Sequence, residues 1–234
     1  MKKLRSSLLL LAGICLASCS KSPNNKSNNA TPKTTPVIVI MGSSSAAGGG
    51  ATPPDSGWAY RLQTLTGSKA NFTNLAYGGY TTYEALPTGT HSAARPAPDT
   101  TRNITKALSL KPALVILNYP NNDVAEDYSD DETLANYATL VHLLDSARVQ
   151  YIIFGTQPRD FDDANKRMRL KTQNDKIKSI YTYHVNDYLA PLSTPTYSIK
   201  PQYEAGDGVH VNNAGHVVIL NATLKQSIFM NLVK

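Results

Sequence analysis

Two pieces of this sequence are best suited to chemistry. One is a turn with three consecutive serines, Ser43-Ser44-Ser45; the other is an aspartate three residues before a histidine, Asp207 and His210. A serine hydroxyl is a poor nucleophile until a base takes its proton. Imidazole can take it near neutral pH. A carboxylate one turn away can reach the second ring nitrogen, fix the tautomer and stabilise the imidazolium. Two other segments, Asn74-Leu75-Ala76-Tyr77-Gly78-Gly79-Tyr80-Thr81 and Asn118-Tyr119-Pro120-Asn121-Asn122-Asp123, supply polar and glycine positions. On residue type alone the serines could equally cap a turn, and Asp207-Gly208 could be a plain turn.

The glycines around the serines do not fit a nucleotide site. No Gly-Lys-Ser/Thr closes the segment Gly42 to Gly50, and G-x-G-x-x-G does not match from Gly42. A G-x-S-x-G elbow would need glycine at position 46, where Ala46 stands.

The elements that must position these residues follow from periodicity. Val37 to Met41, Leu114 to Leu117 and Tyr151 to Phe154 are continuous apolar runs, the mark of strands buried on both faces. Asn71 to Leu75 is a shorter strand and Tyr181 to Val185 a fifth candidate. Helical spacing falls between them: Trp58 to Leu65 with Asp55 or Ser56 as N-cap, Thr101 to Leu110, and Asp131 to Arg148. That last helix has a stripe of Leu134, Tyr137, Ala138, Val141, Leu144 and Asp145. A polar helix spans Asn165 to Ile180, and Ala214 to Leu232 closes the chain with Asn212 or Asn213 as its cap. Strands alternating with helices predict a three-layer α/β domain with a parallel sheet. Sites in such sheets form at the carboxyl ends of strands, where the loops after Met41, Leu75, Leu117 and Phe154 lie.

Those loops, taken in order, resemble the SGNH (GDSL-type) hydrolase superfamily across Val37 to Lys234. The resemblance implies a flavodoxin-like α/β/α sandwich with about five strands. It implies a serine esterase with Ser44 as nucleophile, His210 as base and Asp207 as the acid partner. The oxyanion hole it implies is the Ser44 amide, the Gly79 amide and the Asn122 side chain. Two positions depart from the family pattern: Ser43 replaces the usual Asp of Gly-Asp-Ser, and Pro120 replaces the Gly leading the third block. Glycine at position 79 is expected because a side chain would obstruct the backbone's approach to substrate.

Other residues carry less. Arg159 leaves the fourth strand's carboxyl end and is a candidate substrate contact. Asp123 is expected to brace its loop. Lys166 to Lys171 reads as a solvated helix face, His91 as a solvated loop residue, and His216 as structural. No histidine pair has metal-ligand spacing and neither HExxH nor CxxC occurs, so no metal and no cofactor are expected.

The chain opens Met1-Lys2-Lys3-Leu4-Arg5, followed by a short apolar run and Leu16-Ala17-Ser18-Cys19. This order resembles a lipoprotein signal (1–18) cut before a lipidated Cys19. Residues 19–36, rich in Ser, Asn, Thr and Pro, read as a disordered tether, and 37–234 as the hydrolase domain. Export and membrane attachment through the lipid alone follow as expectations. The net charge of +6 sits outside the domain. Lys2, Lys3, Arg5, Lys21, Lys26 and Lys33 precede Val37, and no acidic residue precedes Asp55, which leaves 17 residues of each sign. Nothing in that balance points to nucleic acid.

The expected substrate is a carboxylic ester, with an O-acetylated carbohydrate first. The alternatives are a lysophospholipase- or thioesterase-like acyl hydrolase, and, from another class, an inactive tethered glycan-binding module.

Overall fold

A computed structural model describes residues 34–119 and 121–234. The signal, Cys19, most of the tether and Pro120 lie outside the described residues. Five strands, β1 (Val37–Gly42), β2 (Asn71–Asn74), β3 (Leu114–Asn118), β4 (Gln150–Phe154) and β5 (Val185–Asn186), form one sheet in the order β2-β1-β3-β4-β5, with every pairing parallel. Side chains alternate across a strand, so each apolar run feeds two cores. Ile38, Ile40, Leu114, Ile116, Ile152 and Phe154 enter one; Val39, Met41, Val115, Leu117, Tyr151 and Ile153 enter the other.

The first core is covered by α1 (Trp58–Thr66), α7 (Asn213–Thr223) and α8 (Ser227–Leu232), through Trp58, Leu62, Ile219, Leu220 and Phe229. The second is covered by α2 (Ile104–Ser109), α4 (Asp130–Ser146) and α5 (Ala164–Ile180), through Ile104, Leu140, Leu144 and Ile177. Short helices α3 (Asn122–Ala125) and α6 (Leu189–Leu192) sit in loops. The fold is therefore a three-layer α/β/α sandwich, and both faces of every long strand are sealed.

Several local expectations are corrected. Tyr181 to His184 is a turn, closed by the His184 amide on the Tyr181 carbonyl, and only Val185 and Asn186 pair with β4. The closing helix is two helices: the chain turns at Leu224–Gln226, and Phe229 of α8 reaches the core. Neither Asp55 nor Ser56 caps α1; Gly57 is the N-cap, and the Trp58 amide donates instead to Nδ1 of His216 at 3.2 Å. On α4, Ala138 and Asp145 are exposed, while Thr133, Asn136 and Leu140 join the buried face. That helix starts with a capping box between Ser129 and Glu132. The Lys166–Lys171 run is partly tied down rather than merely solvated, with Lys166 on Asp127 and Arg169 on Asp130 and the Tyr128 carbonyl. Asn212 caps α7, while Asn213 holds both backbone polar groups of Thr52.

Candidate active site

The strand order reverses between β1 and β3, with β2 added on one side of β1 and β3, β4 and β5 on the other, which is where α/β sheets of this kind open a crevice. Register makes the crevice specific. Gly42 pairs with Asn118, so the turn after β1 and the loop after β3 emerge side by side. The Ser43 amide donates to the Asn118 carbonyl at 3.0 Å and fixes the start of the serine turn.

The turn then presents Ser44 to the far end of the chain. Ser44 Oγ lies 2.8 Å from His210 Nε2, and His210 Nδ1 lies 2.6 Å from Asp207 Oδ2. These residues are 166 and 3 positions apart in sequence. The close approach depends on a glycine: a Cβ on Gly49 would fall 2.9 Å from the His210 ring. Asp207 uses both carboxylate oxygens, because its Oδ1 accepts from the Val209 and His210 amides, each at 2.8 Å. Partial burial pushes this acid up, but the His210 ring and the two amides outweigh it and hold it down to about 2. The contact of Asp207 Oδ2 with His210 Nδ1 thus places a carboxylate, not an acid, against the imidazole.

Two residues that sequence reasoning missed hold this arrangement. The exposed loop bearing Asp207 is organised by Glu204, whose carboxylate accepts from the amides of Gly206, Asp207 and Gly208 at 2.7–2.8 Å. Hydrogen bonds from the Gly208 and Gly206 amides lower its pKa. Buried Gln157, after β4, accepts from Ser45 Oγ at 3.1 Å and donates to the Val209 carbonyl at 3.2 Å, joining nucleophile loop to histidine loop. A capping-like spacing, Glu204 three before Asp207, was the only sequence trace of the first; nothing local marked the second.

The other predicted donors face the same place. Ser44, Gly79, Asn122, Arg159, Val209 and His210 line one cleft of about 360 Å³. Among the described residues, neither the Ser44 amide nor the Gly79 amide meets an acceptor. Asn122 Nδ2 spends one hydrogen on the Tyr80 carbonyl at 2.9 Å, which aims the group and leaves its second hydrogen. Glycine at 79 has a backbone reason besides the one expected: its φ of 83° is a conformation other residues resist, and no protein atom lies within 4 Å of where a Cβ would stand. Asp123 braces the loops as anticipated. It is buried and accepts from the Thr82 amide and hydroxyl, joining the segment that carries Gly79 to the one that carries Asn122. Burial raises its carboxyl to about 6, against the pull of the Thr82 hydrogen bonds.

His216 belongs to the scaffold. Its Nδ1 accepts from the Trp58 amide, which leaves Nε2 to donate to the Gly49 carbonyl at 2.9 Å. His184 stacks on Tyr151 at 4.1 Å, away from the cleft residues. Among the described residues, no cluster of three His, Cys, Asp or Glu side chains is placed to hold a metal ion, and no helix is long and apolar enough to cross a membrane.

A model of the GDSL-like lipase/acylhydrolase family matches residues 40–218. Among solved structures, the chain is similar to a GDSL-like lipase from Bacteroides thetaiotaomicron VPI-5482, at 20% identity over 85% of this chain and 90% of that one, with a TM-score of 0.61. It is also similar to the psychrotrophic esterase EstA from Pseudoalteromonas sp., at 16% identity over 84% of this chain and 99% of that one, again with a TM-score of 0.61; that structure was inhibited by monoethylphosphonate. No curated protein matches the sequence. At such identities the structural likeness concerns the fold.

Proposed function

The chain belongs to the GDSL-like lipase/acylhydrolase family, and from that premise we propose that it is a serine carboxylic-ester hydrolase acting through an acyl-serine intermediate. The observation that carries this reading is the continuous Ser44–His210–Asp207 contact, 2.8 and 2.6 Å, at the floor of a cleft with unspent donors. As Ser44 Oγ attacks the ester carbonyl, its proton passes to His210 Nε2, and Asp207 stabilises the imidazolium. The carbonyl oxygen becomes an oxyanion held by the Ser44 and Gly79 amides and Asn122 Nδ2; one such donor is typically worth about 3 kcal/mol of barrier. Collapse expels the alcohol, which takes the proton from His210. Water, deprotonated by the same nitrogen, then attacks the acyl-serine, releases the acid and restores Ser44.

The substrate we favour is an O-acetyl group on a carbohydrate. The cleft is short and open, and a small acyl group needs no long apolar channel. We further propose that the protein is exported and tethered through lipidated Cys19. Hydrolysis of 4-nitrophenyl acetate tests the chemistry. Turnover should vanish in Ser44→Ala, and an ethyl 4-nitrophenyl phosphonate should phosphonylate Ser44, expelling 4-nitrophenolate and leaving one adduct by mass spectrometry. A wild-type chain that neither hydrolyses the ester nor takes the adduct would be the inactive binding module instead.

A further inference from the structure

Arg159 is held in the cleft with its charge unspent. Its backbone is clamped on both sides: Gln157 is locked between Ser45 and Val209, and Asp160 donates its amide to the Gly208 carbonyl at 2.8 Å and accepts from the Ile199 amide at 2.6 Å. The side chain is not so engaged. Among the described residues the guanidinium makes no hydrogen bond and no ion pair; it rests over the Phe161 ring, 4.9 Å from the centroid. Arg61, Arg95, Arg102, Arg167 and Arg169 all spend theirs on protein oxygens. Burial disfavours the charged form of Arg159, and only the more distant pull of Asp207 and Glu126 opposes it. Neither carboxylate answers it directly. Asp207 is committed to His210 and two amides, and Glu126 is exposed at the cleft rim.

A half-buried guanidinium without a partner is a costly arrangement unless a ligand completes it. Its planar fork of donors matches the two oxygens of a carboxylate. Its position gives the side of the reaction. Arg159 lies against the loop of Gly208 to His210, and His210 is the group that hands its proton to the departing alcohol. We infer that Arg159 binds a carboxylate on the alcohol part of the substrate, so that the preferred ester is an O-acylated acidic sugar. This rests on the esterase reading above and narrows it.

The test compares an O-acetylated methyl glucuronide with the corresponding O-acetylated glucuronamide, which differ in the charge alone. Acetate release by the wild type should favour the acid by about tenfold or more in kcat/KM. Arg159→Gln should bring that ratio close to one, and Arg159→Lys should keep part of it. With the wild type alone, free methyl glucuronide should inhibit 4-nitrophenyl acetate hydrolysis more strongly than its amide, which keeps the test independent of how the variants fold. A ratio near one in the wild type, or one unchanged in Arg159→Gln, overturns the carboxylate site while 4-nitrophenyl acetate turnover leaves the esterase standing. Loss of all turnover, with no phosphonate adduct on Ser44, removes the esterase and this site together.

Discussion

Asp207 divides its carboxylate between two tasks: Oδ2 orients the imidazole and Oδ1 stiffens the loop through two amides. Asp207→Asn keeps an acceptor for the amides but presents a neutral group to His210 Nδ1. Its kcat should fall by roughly two to four orders of magnitude, measured on 4-nitrophenyl acetate, with little change in melting temperature. The acid is held at about 2, so it stays ionised across the working range. Folded, it titrates below its unfolded value near ~3.9, so its contribution to stability is complete above that pH and is lost as pH falls toward about 2. Asp207 therefore adds no ionisation of its own to the kcat/KM profile between pH 4 and 5, and one that appears there in the wild type and is lost in Asp207→Asn would contradict the assignment. Glu204 acts one step further out. Glu204→Ala frees three amides and should cost about tenfold in kcat with a smaller effect on KM, which Glu204→Gln partly restores. Ser44, Asp207 and His210 were legible through the resemblance of their short segments to the family's blocks; on residue type alone the serines could equally have capped a turn. Glu204 was not, since a lone glutamate in a polar segment looks like surface charge until its loop is folded. Gln157 was not either, because its partners lie 112 and 52 residues away.

At the level of elements, the catalytic loops hang on two buried polar bridges, His216 and Asp123. His216, at the start of α7, satisfies the first amide of α1 and the Gly49 carbonyl of the serine turn, which requires a neutral ring with its proton on Nε2. Burial lowers its pKa. The unfolded state thus binds the proton more readily, and stability should fall as pH drops below the unfolded value near ~6.5. Asp123 works in the opposite sense: raised to about 6, it makes the folded state the better proton acceptor above ~4. Denaturation midpoints of wild type and His216→Gln across pH 5 to 8 separate the two, because only the wild type should lose stability on the acid side of ~6.5 through the histidine. Asp123→Ala strands the Thr82 amide and hydroxyl, and should cost about 2 to 4 kcal/mol of stability by urea unfolding along with part of the activity. The long strands were readable from composition, since a strand sealed on both faces must be apolar throughout. The ends of helices were less so. α1 is capped by a ring 158 residues away rather than by Asp55 or Ser56, and the break between α7 and α8 is set by where Phe229 finds the core.

Across the whole molecule, charge and chemistry separate. The six basic residues that give the chain its excess lie before Val37, whereas every group that touches the proposed reaction lies between Ser44 and His210. The 17 positive and 17 negative residues from Val37 onward balance to no net charge. Any preference for an anionic substrate must then be a property of one arginine in the cleft, not of the surface as a whole. Attachment, in turn, is proposed to run through Cys19, where a lipid chain would contribute affinity in proportion to its buried methylenes and independently of net charge. These two assignments predict separable losses. In bacterial cells fed a labelled fatty acid, Cys19→Ala should lose the label and leave the membrane fraction. Its kcat/KM on a soluble ester should remain within about twofold of the wild type, because the described residues that line the cleft all lie between Ser44 and His210. Ser44→Ala should give the reverse, keeping the label and the membrane fraction while losing turnover. If Cys19→Ala stayed with the membrane, or if its activity on a soluble ester collapsed, the leader would be doing something other than anchoring.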